Sequence, residues 1–388
     1  MNIVIDENIP FGEEAFSHFG SVKRVPGRQV NSESLRAVEA LIVRSVTPVN
    51  ANLLAETNIR FVGTATSGID HIDQRYLAQR NIGFADAAGC NANSVAEYVL
   101  TAIVAVASRF KIPLAESSIG IIGVGRIGRL VAKKAQALGM TVLLNDPPLA
   151  RETGDPRYRS LDEALQADFV TLHVPLIHDD PDKTFHLIGE NQLARMSSSS
   201  VLLNTSRGEV VDSLALLNAI ELNRLRGVVL DVWEGEPSIN WDLVNRATIA
   251  TPHIAGYSFD GKVMGTAMIY QAACDYFGVT PAWQVPAMYS QPLDCSDREK
   301  AIDAHDQDLQ VLVHQLSTMR YDLHGDDSRM RALLPLSSSE RPSAFDRLRK
   351  MYPTRREFFA SPVNLIHASP DWISRLTDLG FSIHQFEK

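Results

Sequence analysis

A glycine triplet constrains this chain more than any other feature. Ser118 to Ile122 is an apolar run, and Gly123, Gly125 and Gly128 follow it as G-x-G-x-x-G before a helical pattern begins. A strand that turns this sharply into a helix has a use for each glycine. The first permits the tight turn, the second lets an anion approach the backbone, and the third lets the helix pack on the strand. The helix start adds unsatisfied N–H groups and partial positive charge, with Arg126 and Ile127 in its first turn, so the turn can cradle a pyrophosphate. A second strand pattern, Thr141 to Asn145, ends at Asp146, eighteen residues after Gly128. A carboxylate there accepts hydrogen bonds from ribose hydroxyls and repels a 2′-phosphate, so the expected cofactor is NAD rather than NADP. The plain alternative for Asp146 is a turn residue before Pro147-Pro148.

Short apolar runs alternate with helical patterns on both sides of this loop, which predicts an α/β fold with parallel sheets. Residues 2–5, Leu41 to Val43 and Arg60 to Gly63 read as early strands, with helices over Ser32 to Ala40 and Asn50 to Thr57. Asn93-Ser94 reads as an N-cap, with Glu97 three residues past Ser94 as in a capping box, before a long helix to about Phe110. Three later runs, Val201 to Asn204, Gly227 to Asp231 and Ala247 to Ala250, are each followed by an ionisable residue: Arg207, Glu236 and His253. Residues just past the ends of parallel strands gather at one crevice. Singly these are a loop arginine, a solvated turn and a capping histidine. Together they are a carboxylate-binding fork, an acid to fix a tautomer, and a base whose intrinsic pKa lies near neutrality. That set is suited to removing a proton and a hydride from a 2-hydroxy acid.

The 388 residues leave room for two or three domains, and 46 acids against 37 bases argue against nucleic acid or a membrane surface as the main partner. Cys90, Cys274 and Cys295 fit no metal or disulfide pattern, and no signal peptide or membrane span is apparent, so a cytoplasmic protein without a metal is expected. Residues 279–296, with Pro281, Pro286 and Pro292, read as a linker to a third region containing Arg347, Arg349, Lys350, Arg355 and Arg356.

Asn204-Thr205-Ser206-Arg207-Gly208, Leu230 to Pro237 and Thr251 to Tyr257 closely resemble the D-isomer-specific 2-hydroxyacid dehydrogenases, and Asn93 to Glu97 is similar to that family's crossover helix. The resemblance covers about residues 1–280. It implies a Rossmann-type nucleotide domain, 95–256, inserted in a flavodoxin-like substrate domain, 1–94 and 257–285, with the active site in an interdomain cleft. Arg207, Glu236 and His253 would be catalytic. Asp231 would contact the nicotinamide carboxamide, with Val174, Thr205, Ser206 and Gly256 beside the cofactor. Val174 stands where a threonine is usual, and Thr205 where an alanine is. Thr66, Ser67 and Gly68 would hold the substrate carboxylate with Arg207.

The tail from Phe345 to Phe358 resembles the C-terminal α+β dimerisation domain, here 286–388, of one branch of the family. That branch acts on a small phosphorylated hydroxy acid and forms homodimers. Arg44, Ser45 and Tyr257 are then the first candidates for the substrate, and Arg349, Arg355 or Arg356 is expected to reach a partner subunit's cleft, the plain alternative being an arginine-rich helix paired with its own acids. Two other readings share the core motifs: a generic D-2-hydroxyacid dehydrogenase such as a hydroxypyruvate reductase, and an NAD-sensing interaction protein.

Overall fold

A computed structural model describes residues 1–286, 301–305 and 307–385. Residues 287–296 of the expected linker, Cys295 among them, lie outside the described residues. The chain forms two compact units, one holding Met1–Ala92 and the stretch from Tyr257, the other Asn93–Gly256 and the C-terminal region. No helix among the described residues is long and apolar enough to cross a membrane.

The first unit is built on five parallel strands: β1 (Asn2–Asp6), β2 (Ser21–Val25), β3 (Ala40–Val43), β4 (Phe61–Thr64) and β5 (Gly83–Asp86). Their order is β2-β1-β3-β4-β5, the flavodoxin-like arrangement. β3 and β4 are buried along their whole length, as continuous apolar runs in a sheet covered on both faces must be. The helix Phe259–Phe277 closes one face, with Ser258 accepting from Gly261 N at its start. It passes so close that a Cβ on Gly63 would stand 2.3 Å from Ile269 Cγ2. The helix expected over Ser32 to Ala40 is only a 3₁₀ turn, Glu33–Leu35. β3 begins at Ala40, and Leu35 and Val38 both insert beneath the sheet, which leaves room for a single turn.

The second unit carries β6 (Ser118–Ile122), β7 (Thr141–Asn145), β8 (Phe169–Leu172), β9 (Val201–Asn204), β10 (Gly227–Leu230) and β11 (Ile249–Ala250), all parallel, in the order β11-β10-β9-β8-β6-β7. This is the doubly wound Rossmann order with its outermost strand reduced to one bridge, Leu144 to Tyr158. The strand order reverses at β6, which lies between β7 and β8, so the crevice opens beyond the glycine turn.

The C-terminal region belongs to this same unit. It adds three short parallel strands, β12 (Ile302–Asp303), β13 (Val363–Ile366) and β14 (Ile383–Gln385), in that order, and helices over Leu309–Arg320, Leu323–Arg331, Arg341–Lys350 and Pro370–Asp378. Its contacts overturn one local expectation. The long helix spans Ala92–Phe110, so Ser94 and Glu97 both lie inside it and form no capping box. Ser94 Oγ instead donates to Glu357 Oε1 at 2.7 Å, and Glu97 accepts from Phe358 N at 3.1 Å. The C-terminal segment covers the face that a capping box would have turned to water. Burial raises the Glu97 carboxyl well above the usual range, while Lys134 opposes and Glu357 reinforces the shift.

Candidate active site

Parallel register brings the three ionisable residues to one edge. Asn204 pairs with Leu230, and Leu230 with Ala250, so the chain leaves β9, β10 and β11 at the same level. The ladder continues past the strands through Asp231 N to Asn204 O at 3.0 Å and His253 N to Asp231 O at 2.7 Å. Arg207 follows β9, held by Asn204 Nδ2 donating to its carbonyl at 2.8 Å. A Cβ on the next residue, Gly208, would lie 1.9 Å from the carbonyl carbon of Trp233. The arginine loop therefore packs directly on the loop that carries Glu236, and a glycine is required there.

Glu236 and His253 are joined. His253 Nδ1 lies 2.8 Å from Glu236 Oε2, and Glu236 Oε1 accepts from Trp233 N at 2.9 Å. A carboxylate on Nδ1 selects the tautomer with the proton there and leaves Nε2 as the acceptor. Burial works to raise the Glu236 carboxyl, but the charge and hydrogen bond of His253, the Arg349 guanidinium and the Trp233 N–H outweigh it, so the group is held below the usual range. His253 itself has φ +57°, a left-handed backbone uncommon for a side-chain-bearing residue.

Asp231 supports that conformation. Its Oδ1 accepts from Thr251 Oγ1 at 2.6 Å and Ile254 N at 2.8 Å, and its Oδ2 from Ala255 N at 2.9 Å. The buried carboxylate thus clamps both sides of the His253 turn. Tyr98 OH meets Thr251 Oγ1 at 2.7 Å, and Trp233 Nε1 donates to Thr251 O at 2.9 Å. Burial pushes the Asp231 carboxyl up, and the nearby His253 and the bonds from Thr251, Ile254 and Ala255 pull it only partly back.

The glycine turn has the shape its spacing predicts. Gly123 has φ +89°, and a Cβ on it would strike His173 O at 2.6 Å. A Cβ on Gly128 would meet Gly123 O at 2.1 Å, whereas one on Gly125 would point into open space. The helix Arg126–Ala137 starts at Gly125 without a side-chain cap. An uncapped helix start beneath a bare glycine fits a dinucleotide pyrophosphate. Asp146 ends β7, its Oδ2 accepting from Val124 N at 2.8 Å and its Oδ1 from Leu149 N at 3.0 Å. It is therefore both the cap of the helix Pro147–Thr153 and a carboxylate at the edge of the crevice. Val174 is half-buried beside Gly123, and Thr205 and Ser206 are buried after β9. Gly256 is the last residue of this unit before Tyr257.

In the first unit, Arg44 and Ser45 follow β3, and Thr66 to Gly68 follow the neighbouring β4. Thr66 Oγ1 donates to Gly68 O at 3.0 Å, and Ser67 Oγ accepts from Gly89 N at 2.7 Å, which shapes that loop. The Arg44 guanidinium lies 5.8 Å from the Tyr257 ring centre, and Lys262 Nζ lies 4.9 Å from it.

A model of the D-isomer specific 2-hydroxyacid dehydrogenase NAD binding domain matches residues 99–255, and a domain of unknown function, DUF3410, matches 298–380. An erythronate-4-phosphate dehydrogenase of Proteus mirabilis is 41% identical over 383 residues, 98% of this chain and 99% of that one. One of Aeromonas salmonicida is 44% identical, covering 99% of each chain. The chain belongs to the erythronate-4-phosphate dehydrogenase family. A solved D-lactate dehydrogenase from Aquifex aeolicus, complexed with NAD and lactic acid, is 26% identical with a TM-score of 0.60, covering 72% of this chain and 96% of that one.

Two contacts near the site bear on the sequence reading. Lys262 was missed because its place over the Tyr257 ring depends on how the chain turns into the helix Phe259–Phe277. Of the arginines expected to enter a partner's cleft, Arg349 and Arg355 make contacts within their own chain, as the plain alternative has it. Arg355 is buried and donates to Ala255 O at 2.5 Å, and Arg349 Nη1 lies 3.9 Å from Glu236 Oε2.

Proposed function

We propose that this chain oxidises 4-phospho-D-erythronate to 2-oxo-3-hydroxy-4-phosphobutanoate with reduction of NAD, a step in pyridoxal 5′-phosphate (vitamin B6) biosynthesis. The observation that carries the chemistry is the 2.8 Å contact between His253 Nδ1 and Glu236 Oε2 at the edge shared with Arg207. Near full-length similarity to enzymes named for this substrate supports the specificity.

In this reading His253 Nε2 takes the proton from the C2 hydroxyl. Glu236 orients the ring and stabilises the imidazolium that results. Arg207 binds the substrate carboxylate as a fork and polarises the developing carbonyl, together with backbone amides around Thr66, Ser67 and Gly68. NAD, when bound, supplies the hydride acceptor. Gly123, Gly125, Arg126, Ile127 and Gly128 would hold its pyrophosphate and Asp146 its ribose, with Val174, Thr205, Ser206 and Gly256 as neighbours. Asp231 holds the His253 turn through three bonds, and Oδ2 keeps a lone pair for the carboxamide. For the substrate phosphate, Arg44, Ser45 and Tyr257 are the ligands we assign, and Lys262, also near the Tyr257 ring, joins them. We further infer a discontinuous substrate domain around the inserted nucleotide domain, and a homodimer formed through the C-terminal domain.

Steady-state turnover of 4-phosphoerythronate against glycerate, with NAD, tests the assignment. Preference for the phosphorylated acid by at least about 10²-fold in kcat/KM is expected, since a site built to pair an anion is left unsatisfied by a ligand lacking it. Equal use of glycerate would restore the reading as a generic dehydrogenase.

A further inference from the structure

The C-terminal region surrounds the catalytic turn of its own chain. Asp327 Oδ1 accepts from Ala250 N at 2.7 Å just before the turn, and Arg355 Nη2 donates to Ala255 O at 2.5 Å just after it. Between these anchors, the helix Arg341–Lys350 delivers Arg349 to Glu236. Its Nη1 stands 3.9 Å from Oε2, the same oxygen that faces His253 Nδ1. Both side chains are largely enclosed, 16% exposed for Arg349 and 18% for Glu236, so little water screens the pair. Charged groups near His253 in this unit include Glu236 on its Nδ1 side, Asp231 at its turn and Arg349 next to Glu236.

We propose that Arg349 is a positioning residue for the acid–base pair. It approaches the same Glu236 oxygen as the imidazole and shares its charge, so that His253 is oriented without being locked in its protonated form. A carboxylate facing only the imidazole would favour the imidazolium and remove the neutral base that oxidation needs. A cation on the same oxygen weakens that hold while keeping the carboxylate in place. The C-terminal region then contributes to the reaction itself, in the same subunit.

The proposal rests on the reading of His253 as the base, but its decisive test needs no substrate. In full-length protein labelled with ¹³C-histidine, with the His253 resonance assigned by H253N, the His253 titration is followed in wild type, Arg349→Met and Arg349→Lys. The midpoint is expected to move up by roughly half a unit to one unit in Arg349→Met and to return in Arg349→Lys. The acidic limb of kcat for hydroxy-acid oxidation moves up with it, while KM for NAD stays. A wrong substrate assignment would silence the kinetics and leave the titration intact. An unchanged His253 midpoint in folded Arg349→Met, as judged by thermal melting, overturns the proposal. So does a rise confined to KM for the phosphorylated acid, which would make Arg349 a substrate ligand.

Discussion

With Nδ1 facing Glu236, His253 presents Nε2 for chemistry, and the clamp of Asp231 on its turn keeps that nitrogen in one place. His253→Ala should lower kcat by roughly 10²–10⁴-fold with the fold intact, measured by initial rates beside circular dichroism. Near-normal turnover would remove His253 from the role of base. A second histidine makes a prediction about pH. His173 Nε2 lies 3.0 Å from Thr171 Oγ1, and burial pushes its imidazole down to about 3. The unfolded chain takes up this proton near pH 6.5 and the folded chain does not. The ring therefore adds stability above pH 6.5 that is lost as pH falls toward 3, on the order of 1–2 kcal/mol by pH 5. Urea unfolding of His173→Gln from pH 7 to 5 should show a flatter loss than wild type. Parallel curves would place the acid sensitivity elsewhere.

At the level of the element, the glycine turn separates folding from binding. Gly128 is pressed on Gly123 O, so Gly128→Ala forces the helix Arg126–Ala137 off β6 and should cost about 1–3 kcal/mol, read as a fall in Tm. Gly125 has an ordinary φ of −71° and open space where its Cβ would stand. Gly125→Ala should leave Tm within about one degree and weaken NAD binding instead, because the methyl group occupies the place of the phosphate. Calorimetric titration with NAD checks the second half. Unaltered affinity in Gly125→Ala would mean that the pyrophosphate does not approach there. The spacing of the glycines announced this turn and a use for each glycine, and the structure adds the distances: Gly128 is pressed on Gly123 O, while Gly125 faces open space.

Across the whole molecule, side chains of the C-terminal region bond to the backbone around the last Rossmann strand, so the two are not tied by apolar contact alone. Arg331 donates to Val244 O, Asn245 O and Ala247 O, at 2.7, 3.2 and 2.7 Å, and pairs with Asp327, which holds Ala250 N. One side chain thus satisfies the carbonyls at the end of the helix Trp241–Arg246 and orders the strand that leads to His253. Arg331→Ala should destabilise the protein by about 2–3 kcal/mol, seen as a lower midpoint in urea, and Arg331→Lys should recover only part because an ammonium cannot span three carbonyls in a fork. A midpoint unchanged by either substitution would mean that these bonds are replaced by water at no cost.

The local chemistry of this chain was legible in its residues. Apolar runs of strand length, glycines at fixed offsets and a carboxylate after β7 each express a short-range rule, and they identified the parallel sheets, the glycine turn and two residues, Glu236 and His253, that the fold brings into contact. The failures came where a partner distant in sequence took over. Ser94 and Glu97 look like a capping box until Glu357 and Phe358 claim them. Ser32 to Ala40 looks helical until Leu35 and Val38 must insert under a sheet. Arg349 reads as one arginine of a basic cluster until the chain's return brings it to Glu236. Hydrophobic period and turn chemistry act over a few residues and can be read in order. The meeting of polar groups far apart in sequence depends on the packing of whole elements, and tertiary structure alone decides it.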